Sequence, residues 1–333
     1  MAGRAVGLLM AALIAGIAVY AFRPRPLPEY PATETNPGRL RINGLAAVGD
    51  RLVAVGESGH ILISDDKAQS WHDAEVTGTA EHARIEATLT QVAGIGGDQA
   101  LAVGHDGVVL RSTDGGRDWQ TVRFTEESSD PLFGLCAAGA GTVYAVGSFG
   151  AFLVSQDQGK DFAPVPVDLP DGPHLNGIAC AADGRMMVAA EMAQVMRTAD
   201  GGKTWEAVQL PYNGSLYGVV RTPGGRWIAY GMLGHVFRTD DFGNSWTEID
   251  TGVEASLFGG LLLADGRVVL IGQGATVLVS SDGGTSFHAA QSGGREAYVA
   301  LLELAPGRLL LGGEKGISQF NLDRPLAALV TGQ

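Results

Sequence analysis

The octapeptide Ser112-Thr113-Asp114-Gly115-Gly116-Arg117-Asp118-Trp119 recurs along the chain, and its recurrence constrains the fold more than any other feature. Copies read SQDQGKDF from Ser155, TADGGKTW from Thr198, TDDFGNSW from Thr239 and SSDGGTSF from Ser280, with a worn copy, SDDKAQSW, from Ser64. The shared pattern is Ser/Thr-x-Asp-x-Gly-x-x-aromatic, with aspartates Asp66, Asp114, Asp157, Asp200, Asp241 and Asp282. The closing aromatics Trp71, Trp119, Phe162, Trp205, Trp246 and Phe287 follow one another at intervals of 41 to 48 residues. A fixed period of this length means a repeat architecture.

The chemistry of the motif accounts for its spacing. An Asp two residues ahead of a Gly closes a tight turn, because the carboxylate accepts backbone N–H bonds and Gly takes positive φ without strain. Ser or Thr two residues earlier bonds within the same loop. The aromatic opens the next strand and covers apolar surface between neighbouring units. We read these Asp and aromatic residues as structural staples rather than ligands.

Between the copies a single template repeats: a short strand (Asn43 to Val48; Leu216 to Val220), a Gly turn, and a second strand ending in Val-Gly or similar (Leu52 to Gly56; Val143 to Gly147). A tight hairpin, a third strand (Ile61 to Ser64; Val108 to Ser112), the Asp turn and a fourth strand complete it. Four short strands per period, joined by Gly-rich turns, define a propeller blade. A last, partial copy runs from Tyr298 to Phe320, and Arg39 to Ile42 can supply its missing outer strand. The expectation is an all-β, seven-bladed β-propeller over residues 39–333. The 49 glycines and only 18% charged residues among 333 suit that architecture.

The segment before the propeller is of a different kind. Ala5 to Phe22 holds 18 residues without a charge, on the border between a signal-peptide core and a membrane span. Arg23 and Arg25 follow it and disfavour cleavage, so residues 1–26 read as an uncleaved N-terminal anchor, with a cleaved signal as the alternative. Residues 27–38 continue a Pro-rich tether. The propeller is accordingly expected on the periplasmic, extracytoplasmic side of the membrane. Formal net charge is −13, which argues against nucleic acid as a partner. Aligning Gly134 with Gly177 puts Cys136 and Cys180 one residue out of register, on opposite faces of their sheets. That offset predicts two free buried thiols rather than a disulfide.

The runs LFGLCAAGAGTVYAVGSFGAFLVSQDQGKDF from Leu132 and SLYGVVRTPGGRWIAYGMLGHVFRTDDFGNSW from Ser215 resemble the repeat of photosystem II assembly factors of the Ycf48/HCF136 type. The likeness spans about residues 40 to 322. It rests on aromatic-Gly in the first strand, Val-Gly-x-x-Gly at the hairpin, Arg-Ser/Thr at the third strand and the Asp turn. The resemblance implies a non-enzymatic scaffold without cofactor that binds membrane-protein subunits during assembly. It also implies accessory roles beside transporters of the RND type. Asp turns occur in sialidases too, so a carbohydrate-active enzyme or glycan-binding module is the alternative. Against it, Arg41-Ile42-Asn43 lacks the Pro of the sialidase Arg-Ile-Pro motif, and no Tyr/Glu pair stands in matching positions.

Three groups of residues are candidates for partner binding. The position after Val-Gly forms a ring of Glu57, His105, Ser148, Glu191, Met232, Gln273 and Glu314 on the hairpin face. The run around Glu126, Glu127 and Asp130, with Glu81, Glu86, Asp168 and Asp171 on connections of the same face, suggests an acidic surface for a basic segment. Arg111, Arg197 and Arg238 recur just before the Asp turn on the opposite face, and the resemblance makes them the rival docking patch. No histidine spacing recurs that would hold a metal.

Overall fold

The computed structural model describes residues 2–21, 36–77, 86–124, 130–167 and 172–323. Its N-terminal unit holds one α-helix, Ala2–Ala21, with Leu9, Met10, Leu13, Ile14 and Ile17 all exposed. Among the described residues no helix is long and apolar enough to cross a membrane. The reading of residues 5–22 as an anchor therefore rests on sequence.

The second unit is a seven-bladed propeller, with one antiparallel sheet per blade. Inner strands are Ile42–Val48, Leu89–Gly96, Leu132–Gly139, Leu175–Cys180, Leu216–Arg221, Leu257–Leu262 and Tyr298–Ala305. Each blade then steps outward, as Thr142–Gly147, Phe152–Ser155 and Ala163–Pro164 do in the third. Second strands such as Met186–Ala190 and Val268–Gly272 are buried along their whole length, because blades cover both faces. The second blade has a fifth strand at its outer edge, where Glu75–Thr77 pairs in parallel with Asp118–Arg123.

The core is a ring of separate clusters, one between each pair of blades. Trp119 sits with Val53 and Ile61 of the first blade and Leu110 of its own. Phe162, Trp205, Trp246 and Phe287 take the same place in the next four clusters, and Trp71 in the one shared with the last blade. The junction of the sixth and seventh blades has no Asp-turn aromatic and is filled by Tyr298, Leu301, Phe320 and Leu322. Each closing aromatic therefore serves the joint with the preceding blade.

Two expectations are corrected. Cys136 and Cys180 form a disulfide, with Cα atoms 5.8 Å apart. They do point to opposite faces, but stacked blades meet through opposite faces, so a one-residue offset aims the two sulfurs at each other. The second correction concerns closure. The last sheet has three strands among the described residues, and Ile42 begins the inner strand of the first blade, paired with Gly56. Arg39 to Ile42 therefore supplies no outer strand. Ile42, fully buried, instead packs its side chain where a Cβ on Gly312 would stand, so face-to-face packing joins the seventh blade to the first.

Candidate functional site at the channel mouth

All seven inner strands carry a register shift at their second residue. Such a bulge re-aims a side chain. Here it turns Asn43, Thr90, Phe133, Asn176, Tyr217, Phe258 and Val299 into a central cavity of about 840 Å³. The next residue is Gly in five of the seven strands, and the reason is steric. A Cβ on Gly177 would stand 2.8 Å from the Tyr217 carbonyl oxygen, and one on Gly134 would meet Gly177. Gln91 replaces Gly in the second blade, and its Oε1 accepts the Leu135 N–H.

The seven bulged residues divide by chemistry. Asn43 donates to the Leu89 carbonyl (2.9 Å), Asn176 to Leu216 (2.8 Å) and Thr90 to Leu132 (2.6 Å), each clamping its blade to the next. Phe133, Tyr217 and Phe258 make up the aromatic lining, with the Tyr217 and Phe258 rings 5.3 Å apart and Asn176 of the fourth blade between Phe133 and Tyr217. Burial, reinforced by the Glu191 carboxylate, raises the Tyr217 phenol above its ordinary value, so it stays a neutral donor.

Of the residues singled out from sequence for partner binding, two line this cavity. Glu57 lines it with His105, and its carboxylate accepts the Arg41 N–H (3.1 Å). Glu191 accepts the His174 N–H (3.1 Å), and Gln273 accepts the Ser256 N–H (3.4 Å). One position therefore caps the entry of the inner strand in three blades. Glu314 lies in the turn after Arg308–Gly313, and Asp130 just ahead of Leu132. Glu81, Glu126, Glu127, Asp168 and Asp171 lie outside the described residues. His60 and His235 share one position and pair with the outer-strand acids Asp73 (3.4 Å) and Glu248 (2.5 Å). No cluster able to hold a metal occurs among the described residues.

The arginines lie on the opposite face and spend their donors between blades. Arg111 reaches the Gln158 carbonyl (2.9 Å), Arg197 the Phe242 carbonyl (2.5 Å) and Arg238 the Thr285 hydroxyl (2.8 Å). Arg51 does the same to Asp114 (3.0 Å). The Asp turns beside them are self-contained. Asp114 accepts the Ser112 hydroxyl (2.8 Å) and the N–H groups of Arg117 and Asp118. Where Ser or Thr precedes the aromatic, its hydroxyl adds a bond of 2.6 to 2.7 Å to the second carboxylate oxygen. These hydroxyls, with the backbone N–H groups, pull Asp66 and Asp241 down to about 2 and Asp200 further below the carboxylate range.

Phe133, Tyr217 and Phe258 escaped sequence reasoning as site residues. Their signal was present as the aromatic-Gly pair, but only the bulge shows that the aromatic faces the channel. The mouth can hold apolar and aromatic groups by stacking and can accept or donate a few hydrogen bonds. Hydrolysis by two carboxylates needs a facing pair, and among the described lining residues Glu57 stands alone.

These features define a seven-bladed, Asp-turn propeller with an aromatic-lined mouth on its hairpin face. The chain belongs to the family described as photosynthesis system II assembly factor YCF48, whose model matches residues 80–253, just over half of it. YCF48 from Cyanidioschyzon merolae superposes with a TM-score of 0.69 at 15% identity, over 88% of this chain and 99% of that one. A structure of YCF48 bound to D1 peptide gives 0.68 at 18% identity, with the same coverage. The WD40 propeller domain of Doa1 gives 0.65 at 14%, over 86% and 94%. At these identities the likeness concerns the fold. No curated protein matches the chain.

Proposed function

We propose that this propeller is a non-enzymatic binding scaffold that docks onto a membrane-protein complex as an assembly or accessory factor. The aromatic lining of Phe133, Tyr217 and Phe258 at the channel mouth carries the reading. The mouth is concave and lined by aromatic rings interspersed with amide and hydroxyl groups, as a site for a polypeptide segment needs to be. Family membership supports it, as does the related YCF48 structure with its D1 peptide. Complexes of the RND transporter type are one class of partner that the sequence resemblance suggests. We place the propeller on the extracytoplasmic side, held by residues 5–22. The uncharged run from Ala5 to Phe22 in the sequence supports this placement, and so does the Cys136–Cys180 disulfide, since such bonds persist in oxidising compartments.

The test is co-purification from the native membrane in mild detergent, comparing the full-length chain with a Tyr217→Ala, Phe258→Ala variant. The reading expects a stoichiometric membrane protein with the former and its loss with the latter. Equal recovery of the same partner by both would exclude the mouth as the docking site. A chain recovered alone would count against the scaffold reading and direct attention to glycans.

A further inference from the structure

The hairpin between second and third strands turns on a residue at positive φ. These are Ser58 (φ 53°), Asp106 (56°), Phe149 (51°), Met192 (53°), Leu233 (53°) and, in the sixth blade, Gly274 (65°). That conformation suits Gly, Asn or Asp and is uncommon for bulky side chains. Three consecutive blades nevertheless place Phe, Met and Leu there, and those side chains are 69%, 49% and 57% exposed. Neither turn chemistry nor core packing accounts for them. Single exposed hydrophobes need no explanation, but three at one structural position on adjacent blades make a patch.

The surroundings give this arc its character. Met192 borders a groove of about 570 Å³ formed with Leu210, Pro211 and Tyr212. The Phe149 ring lies 4.8 Å from His174, which in turn lies 6.2 Å from Phe133, so the Phe149 end of the arc adjoins the channel mouth. Within these three blades the formal charge has one sign. Asp130, Glu191, Glu248, Asp250 and Glu254 frame the arc, and their described hairpin-face segments (130–134, 147–151, 163–167, 172–177, 190–194, 208–217, 231–236 and 248–258) contain neither Lys nor Arg, whereas Arg41, Arg123 and Lys315 stand on other blades of this face. We infer that Phe149, Met192 and Leu233 form the anchoring edge of the docking surface, and that its occupant is a partner polypeptide segment carrying apolar side chains interspersed with Lys or Arg. The inference rests on the scaffold reading and adds the chemistry of the segment. Acidic framing selects a cationic segment and disfavours an anionic lipid surface or a second copy of this acidic chain.

The test compares the full-length chain with a Phe149→Asn, Met192→Asn, Leu233→Asn variant. Asn accepts this backbone conformation, so the variant should melt at the same temperature or higher, and lost binding will not reflect unfolding. The probe is a fluorescein-labelled peptide of alternating Leu and Lys, read by anisotropy, with its Leu/Glu counterpart as control. We expect the Leu/Lys peptide to bind, to weaken with salt, and to bind the triple variant at least about tenfold more weakly; the Leu/Glu peptide should not bind. Equal affinity for both proteins overturns the inference. So does an effect of the variant confined to vesicles of phosphatidylcholine and phosphatidylglycerol, or to self-association in sedimentation. If the triple variant still recovers its membrane partner while the Tyr217→Ala, Phe258→Ala protein does not, the arc is refuted and the scaffold reading stands.

Discussion

Asp66, Asp200, Asp241 and Asp282 each receive a hydroxyl from the residue before the closing aromatic, whereas Asp114 and Asp157 are followed at that place by Asp118 and Asp161. The difference is testable at a single side chain. Ser245→Ala should bring the Asp241 carboxyl up from about 2 toward its ordinary value, measured by carboxyl NMR titration; an unmoved value would contradict the assignment. Because the folded-state values are depressed, stability from these turns is complete above the unfolded carboxylate value of about 3.9. It is lost as pH falls from there through the folded value of about 2. Thermal melts should therefore decline over that acid window and stay flat across neutral pH. The turn chemistry itself was legible from spacing, since Asp, Gly and the hydroxyl residues act within eight positions of one another. The role of Phe133, Tyr217 and Phe258 was not, because a bulge is a property of pairing between strands.

At the scale of the strand, small residues next to the bulge set how closely inner strands approach. Gly177→Ala would drive a Cβ against the Tyr217 carbonyl, and overpacking of this kind costs about 1–3 kcal/mol. Denaturant melts should show that loss; an unchanged midpoint would mean that the wall yields freely. The Cys136–Cys180 bond joins neighbouring inner strands 44 residues apart in sequence. Replacing both cysteines by Ala should lower stability by about 2–4 kcal/mol, and reduction of the native protein should do the same. The register offset of the two cysteines could be read from the sequence. Its consequence could not, because which faces meet is decided only once the blades stack.

Over the whole molecule, period and motif count were enough to give seven blades, but not the manner of closure. A strand borrowed from the N-terminus is one way to close a ring. Here Ile42, buried against Gly312, joins the seventh blade to the first by packing. Ile42→Ala should then cost about 2–5 kcal/mol, a full core penalty, in urea unfolding. A loss under about 1 kcal/mol would point to closure through another contact. The two faces of the ring differ in what they leave free. On the Asp-turn face the recurring guanidiniums are engaged between blades, while on the hairpin face aromatic and apolar side chains remain open. We place binding on the hairpin face. This is tested most directly by placing a photo-reactive phenylalanine analogue at the Phe258 position or, on the opposite face, at the Lys203 position, and irradiating native membranes. Hairpin-face binding predicts a discrete cross-link to a membrane protein from position 258 and none from position 203. A cross-link from position 203 alone would assign docking to the Asp-turn face and contradict it.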